Sequence, residues 1–232
     1  MQAFFDYVRR CAAPIRSECL QFAHCLLLRG GAMPDPILRT FIAIELDEPL
    51  RVALAAVQAK FKRQAPPGSV KWVAPDGIHL TLKFLGDTPA SRAAEIAAAL
   101  ARACEGIPPF EFTVEGRGCF PNTRRPRVIW VAVRSHGPWL AKLQGAVERY
   151  VAPLGWPEEE RGFSPHLTLG RVARSANPAA ETAVGRMVEQ AVVEQIGTQR
   201  VTAVSLIKSD LRPTGAVYTT LVTVPLEEEM GL

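Results

Sequence analysis

Ile78-His79-Leu80-Thr81-Leu82-Lys83-Phe84-Leu85-Gly86 and Pro165-His166-Leu167-Thr168-Leu169-Gly170-Arg171-Val172 carry the same tetrapeptide, His-Leu-Thr-Leu. Both stretches read as β-strands. Successive side chains on a strand point to opposite faces, so His79 and Thr81 share one face and Leu80 and Leu82 the other, and the second copy repeats this. The leucines read as the buried side of a sheet. One histidine on a strand is most simply a hydrogen-bonded structural residue, and one His-x-Thr carries little information. A repeated fold unit would echo the apolar positions, but packing gives no reason to echo the His and the Thr. The duplicated pair, which uses two of the chain's four histidines, therefore reads as a site.

The chain has 232 residues, enough to bury a sizeable core in one large or two small domains. With 48% hydrophobic and 22% charged residues it has an ordinary globular composition. The formal net charge of +4 suits an anionic ligand without demanding nucleic acid. There is no block of Lys and Arg and no basic stripe interleaved with aromatics, so a small anionic group or an RNA end fits better than a duplex. Five cysteines, Cys11, Cys19, Cys25, Cys104 and Cys119, form no C-x-x-C pair. An odd count without such pairs supports neither a disulfide framework nor a zinc ribbon, and a reducing, cytoplasmic setting is the simplest reading. No stretch approaches the roughly eighteen apolar residues needed to cross a bilayer. The expectation is a monomer with no membrane contact.

Around the two motifs the chain alternates strands and helices. Ile37 to Leu46 reads as a strand, and Asp47 caps a helix over Glu48 to Gln64 with Leu50, Leu54, Val57 and Phe61 as its stripe. Val70 to Val73 is a short strand. Thr88 with Pro89 reads as the start of an Ala-rich helix to Cys104. Phe110 to Cys119 alternates as a strand, and Phe120 to Pro126 is a loop. Arg127 to Arg134 reads as a strand, Pro138 to Val151 as a helix and Asn177-Pro178 as the opening of another, to about Ala191. Two last strands, Arg200 to Ser209 and Ala216 to Pro225, turn through Arg212-Pro213-Thr214-Gly215. This pattern is α+β with mostly antiparallel sheets, and the symmetric placement of the motifs suggests two similar lobes facing one cleft. Residues 1–32 do not fit. They hold three cysteines and an apolar run, Leu20 to Leu28, without the features of a clean signal peptide. The expectation is that they are an upstream extension outside the fold, that the functional protein begins near Met33, and that 33–232 form the domain.

These residues resemble a known family. Arg39-Thr40-Phe41-Ile42-Ala43-Ile44, Trp72-Val73-Ala74-Pro75, His79 to Gly86, Phe120-Pro121-Asn122, Pro126 to Trp130 and Phe163-Ser164-Pro165-His166 to Val172 together resemble the 2H phosphoesterases. Within these they are similar to the RNA 2′,3′-cyclic phosphodiesterases, also called 2′-5′ RNA ligases. The resemblance runs from about Leu38 to about Leu226. It implies a bilobal fold, two antiparallel-sheet lobes with outer helices around a central cleft. It also implies opening of RNA 2′,3′-cyclic phosphate ends to a 2′-phosphate, with His79 as proton donor and His166 as proton acceptor.

Hydrolysis of a cyclic phosphodiester needs a base for water on one side of phosphorus and an acid for the leaving oxygen on the other. Imidazole serves either job near neutrality. Two close imidazoles should not both be charged, so one neutral and one cationic ring is the expectation, titrating as a pair. Thr81 and Thr168 are placed to donate to non-bridging phosphate oxygens; singly, either would read as a β-branched strand filler. Lys83 continues the parity of His79 and Thr81, so it either approaches the phosphate or marks a solvated strand end. Arg171 has the opposite parity, although the resemblance puts an arginine there near the substrate. Phe120, Arg124 and Arg127 are candidates for the cleft wall, with a solvated loop the alternative for Arg124. Trp72 and Trp130 read as core. His24 and His136 have no companion.

No H-E-x-x-H, Cys/His cluster, P-loop or dinucleotide fingerprint occurs, so no metal or other cofactor is expected. Any ligation would be ATP-independent, the same chemistry in reverse. Three partners remain in view: an RNA 3′ end, a small cyclic-phosphate nucleotide such as an ADP-ribose cyclic phosphate, and an RNA end bound without turnover. Retention of both His and both Thr argues against the third.

Overall fold

A computed structural model of the protein describes residues 35–212 and 215–227. The described residues from Pro36 onward fall in one compact unit. The expectations for residues 1–32 and for a start at Met33 lie outside the described residues.

The described residues form nine strands and four helices: β1 (Ile37–Glu45), α1 (Glu48–Gln64), β2 (Val70–Trp72), β3 (His79–Pro89), α2 (Ala93–Cys104), β4 (Phe110–Phe120), β5 (Val128–Ser135), α3 (Trp139–Val151), β6 (His166–Val172), α4 (Pro178–Gln190), β7 (Gly197–Val201), β8 (Ala203–Arg212) and β9 (Gly215–Pro225). Local chemistry sets several of the boundaries. The Asp47 carboxylate accepts from the Leu50 N–H and starts α1, and Asn177 does the same for α4 through the Ala180 N–H. Thr88 does not cap α2. It belongs to the end of β3, where its hydroxyl pairs with that of Thr40 at 2.8 Å inside the core, and the helix starts only after a short turn over Ala90–Arg92.

All strand pairings are antiparallel. The order is β7-β4-β5-β6-β3-β1-β8-β9, with β2 added to β6. Each motif strand heads one lobe, β3 leading β1, β8 and β9, and β6 leading β5, β4 and β7. The lobes join where β3 and β6 pair, at Leu80 opposite Leu167. The expected strand Arg200 to Ser209 divides at Thr202: β7 completes the second lobe, and β8 returns to the first.

One face of the sheet packs against the helices. Ile42, Ile44, Leu80, Leu167 and Leu169 bury there with Leu54 of α1, Leu100 of α2, Leu143 of α3 and Val184 of α4, each at most 1% exposed. Fully burying one such side chain contributes about 1.5–3 kcal/mol, so the leucines of the two motifs anchor the strands whose other face they leave free. Among the described residues the apolar cluster buried on that other face is small, Phe41, Ala43 and Ile207 with Tyr218 against it. The bilobal α+β arrangement with outer helices is therefore the one expected.

Candidate active site

His79, Thr81, His166 and Thr168 are all half-buried on the helix-free face. They stand on neighbouring strands, not on facing walls. About the Leu80–Leu167 pair, antiparallel direction sets His79 on the side of Thr168 and Thr81 on the side of His166. The two imidazoles are held alike. His79 Nδ1 lies 2.8 Å from the Gly77 carbonyl oxygen, and His166 Nδ1 lies 2.7 Å from that of Ser164. A carbonyl only accepts, so each Nδ1 carries the proton and donates it, leaving each Nε2 as the reactive nitrogen. Both rings are also clamped by aromatics. Phe41 stacks on His79 at 4.4 Å and Tyr218 meets it edge-on at 5.0 Å, while Phe120 meets His166 edge-on at 4.8 Å.

At the last residue of each motif a β-bulge reverses the alternation. On β3, Ile42 faces Lys83 and Ala43 faces Thr81, so Leu82 is an extra residue. On β6, Ile129 faces Gly170 and Trp130 faces Thr168, so Leu169 is the extra one. An inserted residue turns every side chain after it to the other face. Lys83 accordingly points away from the histidines. It is 7% exposed, ion-paired with Glu148 of α3, and donates to the Pro157 carbonyl at 2.8 Å. The expectation that it approaches the phosphate, or ends solvated, is corrected by this burial. Arg171 moves the opposite way and shares the face of His166 and Thr168, exposed to solvent. Gly170 fills the place that Lys83 holds in the first copy. A Cβ there would come within 2.8 Å of Val70 and 3.0 Å of Trp72, so β2 can lie against β6 only beside a glycine.

The other candidates divide. Phe120 lines the site beside His166. Trp130 is not core. It is half-buried on the same face, 5.2 Å from the Phe120 ring, over Gly118, where an added Cβ would strike its indole at 2.3 Å. Trp72 packs half-buried on the main core. Arg127 bonds Glu181 of α4 at 2.6 Å, which engages its guanidinium outside the histidine pair. Arg124 is exposed on the 120–126 loop. His136 bonds the Thr113 hydroxyl at 2.6 Å in the second lobe. His24 lies outside the described residues.

Two residues at the site carry no signal in sequence. Phe84 would face the core by simple alternation, but after the Leu82 bulge it opens to solvent, 65% exposed and 6.1 Å from Phe41. Tyr218 comes from β9, far along the chain, and helps line a polar cavity of about 90 Å³ with Glu45, Asp76, His79 and Thr220.

Burial dominates the electrostatics. Desolvation pulls His79 down to about 4, against the Gly77 hydrogen bond and the Glu45 carboxylate, which favour the cation. His166 is lowered for the same first reason, opposed by its bond to Ser164. The Arg171 charge disfavours protonation of both rings and favours ionisation of Tyr218, so it stands within electrostatic reach of all three. Burial thus disfavours the charged form of both rings in the free protein, which weighs against the expected mixed pair of one neutral and one cationic ring. Burial also pushes the Cys104 thiol up to about 12 and that of Cys119 to about 11, which removes both as nucleophiles.

Known proteins share this fold. The family model described as LigT like Phosphoesterase matches twice, over residues 44–130 and 131–218, one match per motif. A curated relative from Methanothermobacter thermautotrophicus, named RNA 2′,3′-cyclic phosphodiesterase, is 34% identical over 181 residues, 78% of this chain and 95% of its own. One of the same name from Archaeoglobus fulgidus is 33% identical over 78% of this chain and 96% of its own. Among solved structures, TT0787 of Thermus thermophilus superposes with a TM-score of 0.67 at 30% identity, over 83% of this chain and all of that one. Escherichia coli LigT complexed with 3′-AMP superposes at 0.65 with 26% identity, over the same shares. Two motif-bearing repeats and a shared bilobal fold make this chain a member of the LigT-like 2H phosphoesterase family.

Proposed function

We propose that the protein is an RNA 2′,3′-cyclic phosphodiesterase that hydrolyses a 2′,3′-cyclic phosphate end to a 2′-phosphate. The observation that carries the reading is the matched pair of imidazoles. Each is tied by Nδ1 to a backbone carbonyl, and each leaves Nε2 free on the face that also holds Thr81, Thr168 and Arg171. His166 Nε2 takes a proton from water as its oxygen attacks phosphorus. The phosphorus–O3′ bond breaks, and His79 Nε2–H supplies the proton that O3′ needs. Thr81 and Thr168 hold the charge that grows on the non-bridging oxygens, and Arg171 holds the phosphate charge from binding through reaction, each such bond contributing about 1.5–3 kcal/mol. Phe84 and Phe120 are open faces on which a base of the terminal nucleotide can stack.

Donating from His79 requires a protonated ring, and burial opposes it in the free protein. The phosphate anion supplies the compensating charge, so the proton arrives with the substrate. Every step uses side chains of this chain, and the reading needs no metal. With a 5′-hydroxyl in place of water as the nucleophile the same steps join that oxygen to phosphorus and release O3′, giving ATP-independent 2′-5′ ligation. The curated relatives' names favour RNA ends. A second reading, a small cyclic nucleotide as substrate, is favoured by the complex of E. coli LigT with 3′-AMP.

The test is turnover of an oligonucleotide ending in a 2′,3′-cyclic phosphate, in excess EDTA. Activity is expected to persist, and His79→Ala or His166→Ala to lower the rate by about 10²–10⁴. Either variant retaining parental turnover would overturn the acid–base reading. Tight binding without turnover in the parent would favour a binding module.

A further inference from the structure

Gln58 is a buried amide on an otherwise apolar helix face. It sits on α1 among Leu50, Leu54 and Phe61 and is 1% exposed. Burying an amide is unfavourable unless its N–H groups are bonded. Here one Nε2 donates twice, to the Val73 carbonyl at 2.7 Å and to the Leu169 carbonyl at 2.9 Å. Leu169 is the residue that the bulge on β6 leaves without a partner on β5. Its carbonyl also accepts from the Val73 N–H at 3.0 Å. An amide from the outer helix and the end of β2 therefore close on the bulge carbonyl from the helix side. What the bulge decides, on the far side of the sheet, is the direction of Arg171. Without the extra residue, Arg171 would follow Leu167 and Leu169 onto the buried face.

The first lobe handles its own bulges with different groups. The Leu85 carbonyl, extra in the register between Thr40 and Phe41, accepts from the Trp156 indole at 2.7 Å. Lys83, between the two irregularities, is held by Glu148. Irregular backbone beside both motifs is thus tied down by side chains brought from elsewhere in the fold. Arg171 has no carboxylate within ion-pair distance among the described residues, so the backbone beneath it, and no acidic partner, sets its place.

We propose that Gln58 is a positioning residue for phosphate binding: by holding the bulge at Leu169, it aims Arg171 at the phosphate between His79 and His166. This rests on the reading of Arg171 as a phosphate ligand. An error of about 1 Å in such a group costs up to about 10²-fold, and a side chain that holds its partner in both the bound and the reacting state moves KM more than kcat.

The experiment places Gln58→Met, which keeps the shape and removes both donors, in the parent and in Arg171→Ala. KM and kcat are measured on the cyclic-phosphate oligonucleotide, with inhibition by adenosine 2′-monophosphate. In the parent, Gln58→Met is expected to raise KM and the inhibition constant about tenfold, with kcat changing less than about threefold. In Arg171→Ala it is expected to change either constant by less than about twofold. If Gln58→Met does not fold, Gln58→Asn, which withdraws the amide by one methylene, carries the same comparison. Equal factors in both backgrounds, or lower thermal stability with unchanged KM, would overturn the proposal and leave Gln58 as a tie between α1 and the sheet. An Arg171→Ala variant with parental KM would instead remove the reading on which the proposal stands.

Discussion

In the free protein His79 is expected to titrate near pH 4, and binding of the phosphate product is expected to lift it to neutrality. Burial between Phe41 and Tyr218 lowers the ring from 6.5 to about 4, and at about 1.4 kcal/mol per pH unit that is a bias of roughly 3.5 kcal/mol against the cation. One charge-assisted hydrogen bond to phosphate contributes about 1.5–3 kcal/mol, and closing water out of the site strengthens it. The two terms are of the same size, so the bound ring is poised near its ordinary value. The assay is NMR of the His79 ring protons against pH, with and without adenosine 2′-monophosphate. Calorimetry in buffers of different ionisation enthalpy should then detect about three-quarters of a proton taken up on binding near pH 6. The sign for stability follows from the same shift. As pH falls from about 6.5 towards 4, the unfolded chain gains a proton that folded His79 refuses, so stability falls by up to about 1.4 kcal/mol per pH unit in that window. His166, shifted in the same direction, adds to the loss. A free-state value near 6.5, or no uptake of a proton on binding, would refute the reasoning.

Lys83→Met should destabilise the fold by about 3–5 kcal/mol, because Glu148 is left buried without its cation. KM of the folded protein should be unchanged, and the opposite pattern in denaturation and kinetics would return Lys83 to the phosphate site. Thr168→Val keeps the shape and removes the hydroxyl, and should cost about 10–150-fold in kcat/KM with little change in the denaturation midpoint; a loss under threefold would make Thr168 a strand filler.

The residues of the histidine pair were legible because period two is a local property. His79 and Thr81 lie on one face whatever the rest of the chain does, and their duplication has no packing cause. Helix starts at Asp47 and Asn177 were legible for the same reason, since the cap and the N–H it satisfies are three residues apart. Thr88 failed as a cap because a distant partner, Thr40, claims its hydroxyl. Counting parity through Leu82 and Leu169 puts Lys83 on the site face and Arg171 off it, and the bulges reverse both; the resemblance alone kept Arg171 near the substrate. A bulge is defined by the strand opposite, and nothing within Leu82-Lys83-Phe84 or Leu169-Gly170-Arg171 announces one. The division of Arg200 to Ser209 at Thr202 is likewise a decision between sheets, not a local break.

What the amino-acid order determined by itself is the chemistry on offer: two imidazoles and two hydroxyls, each pair sharing a strand face, backed by leucines that must bury. Tertiary structure decided which cation joins them, which aromatics wall them in and how many protons they carry. Those three follow from register between strands and from loss of water around the rings, and both depend on residues far apart in the chain.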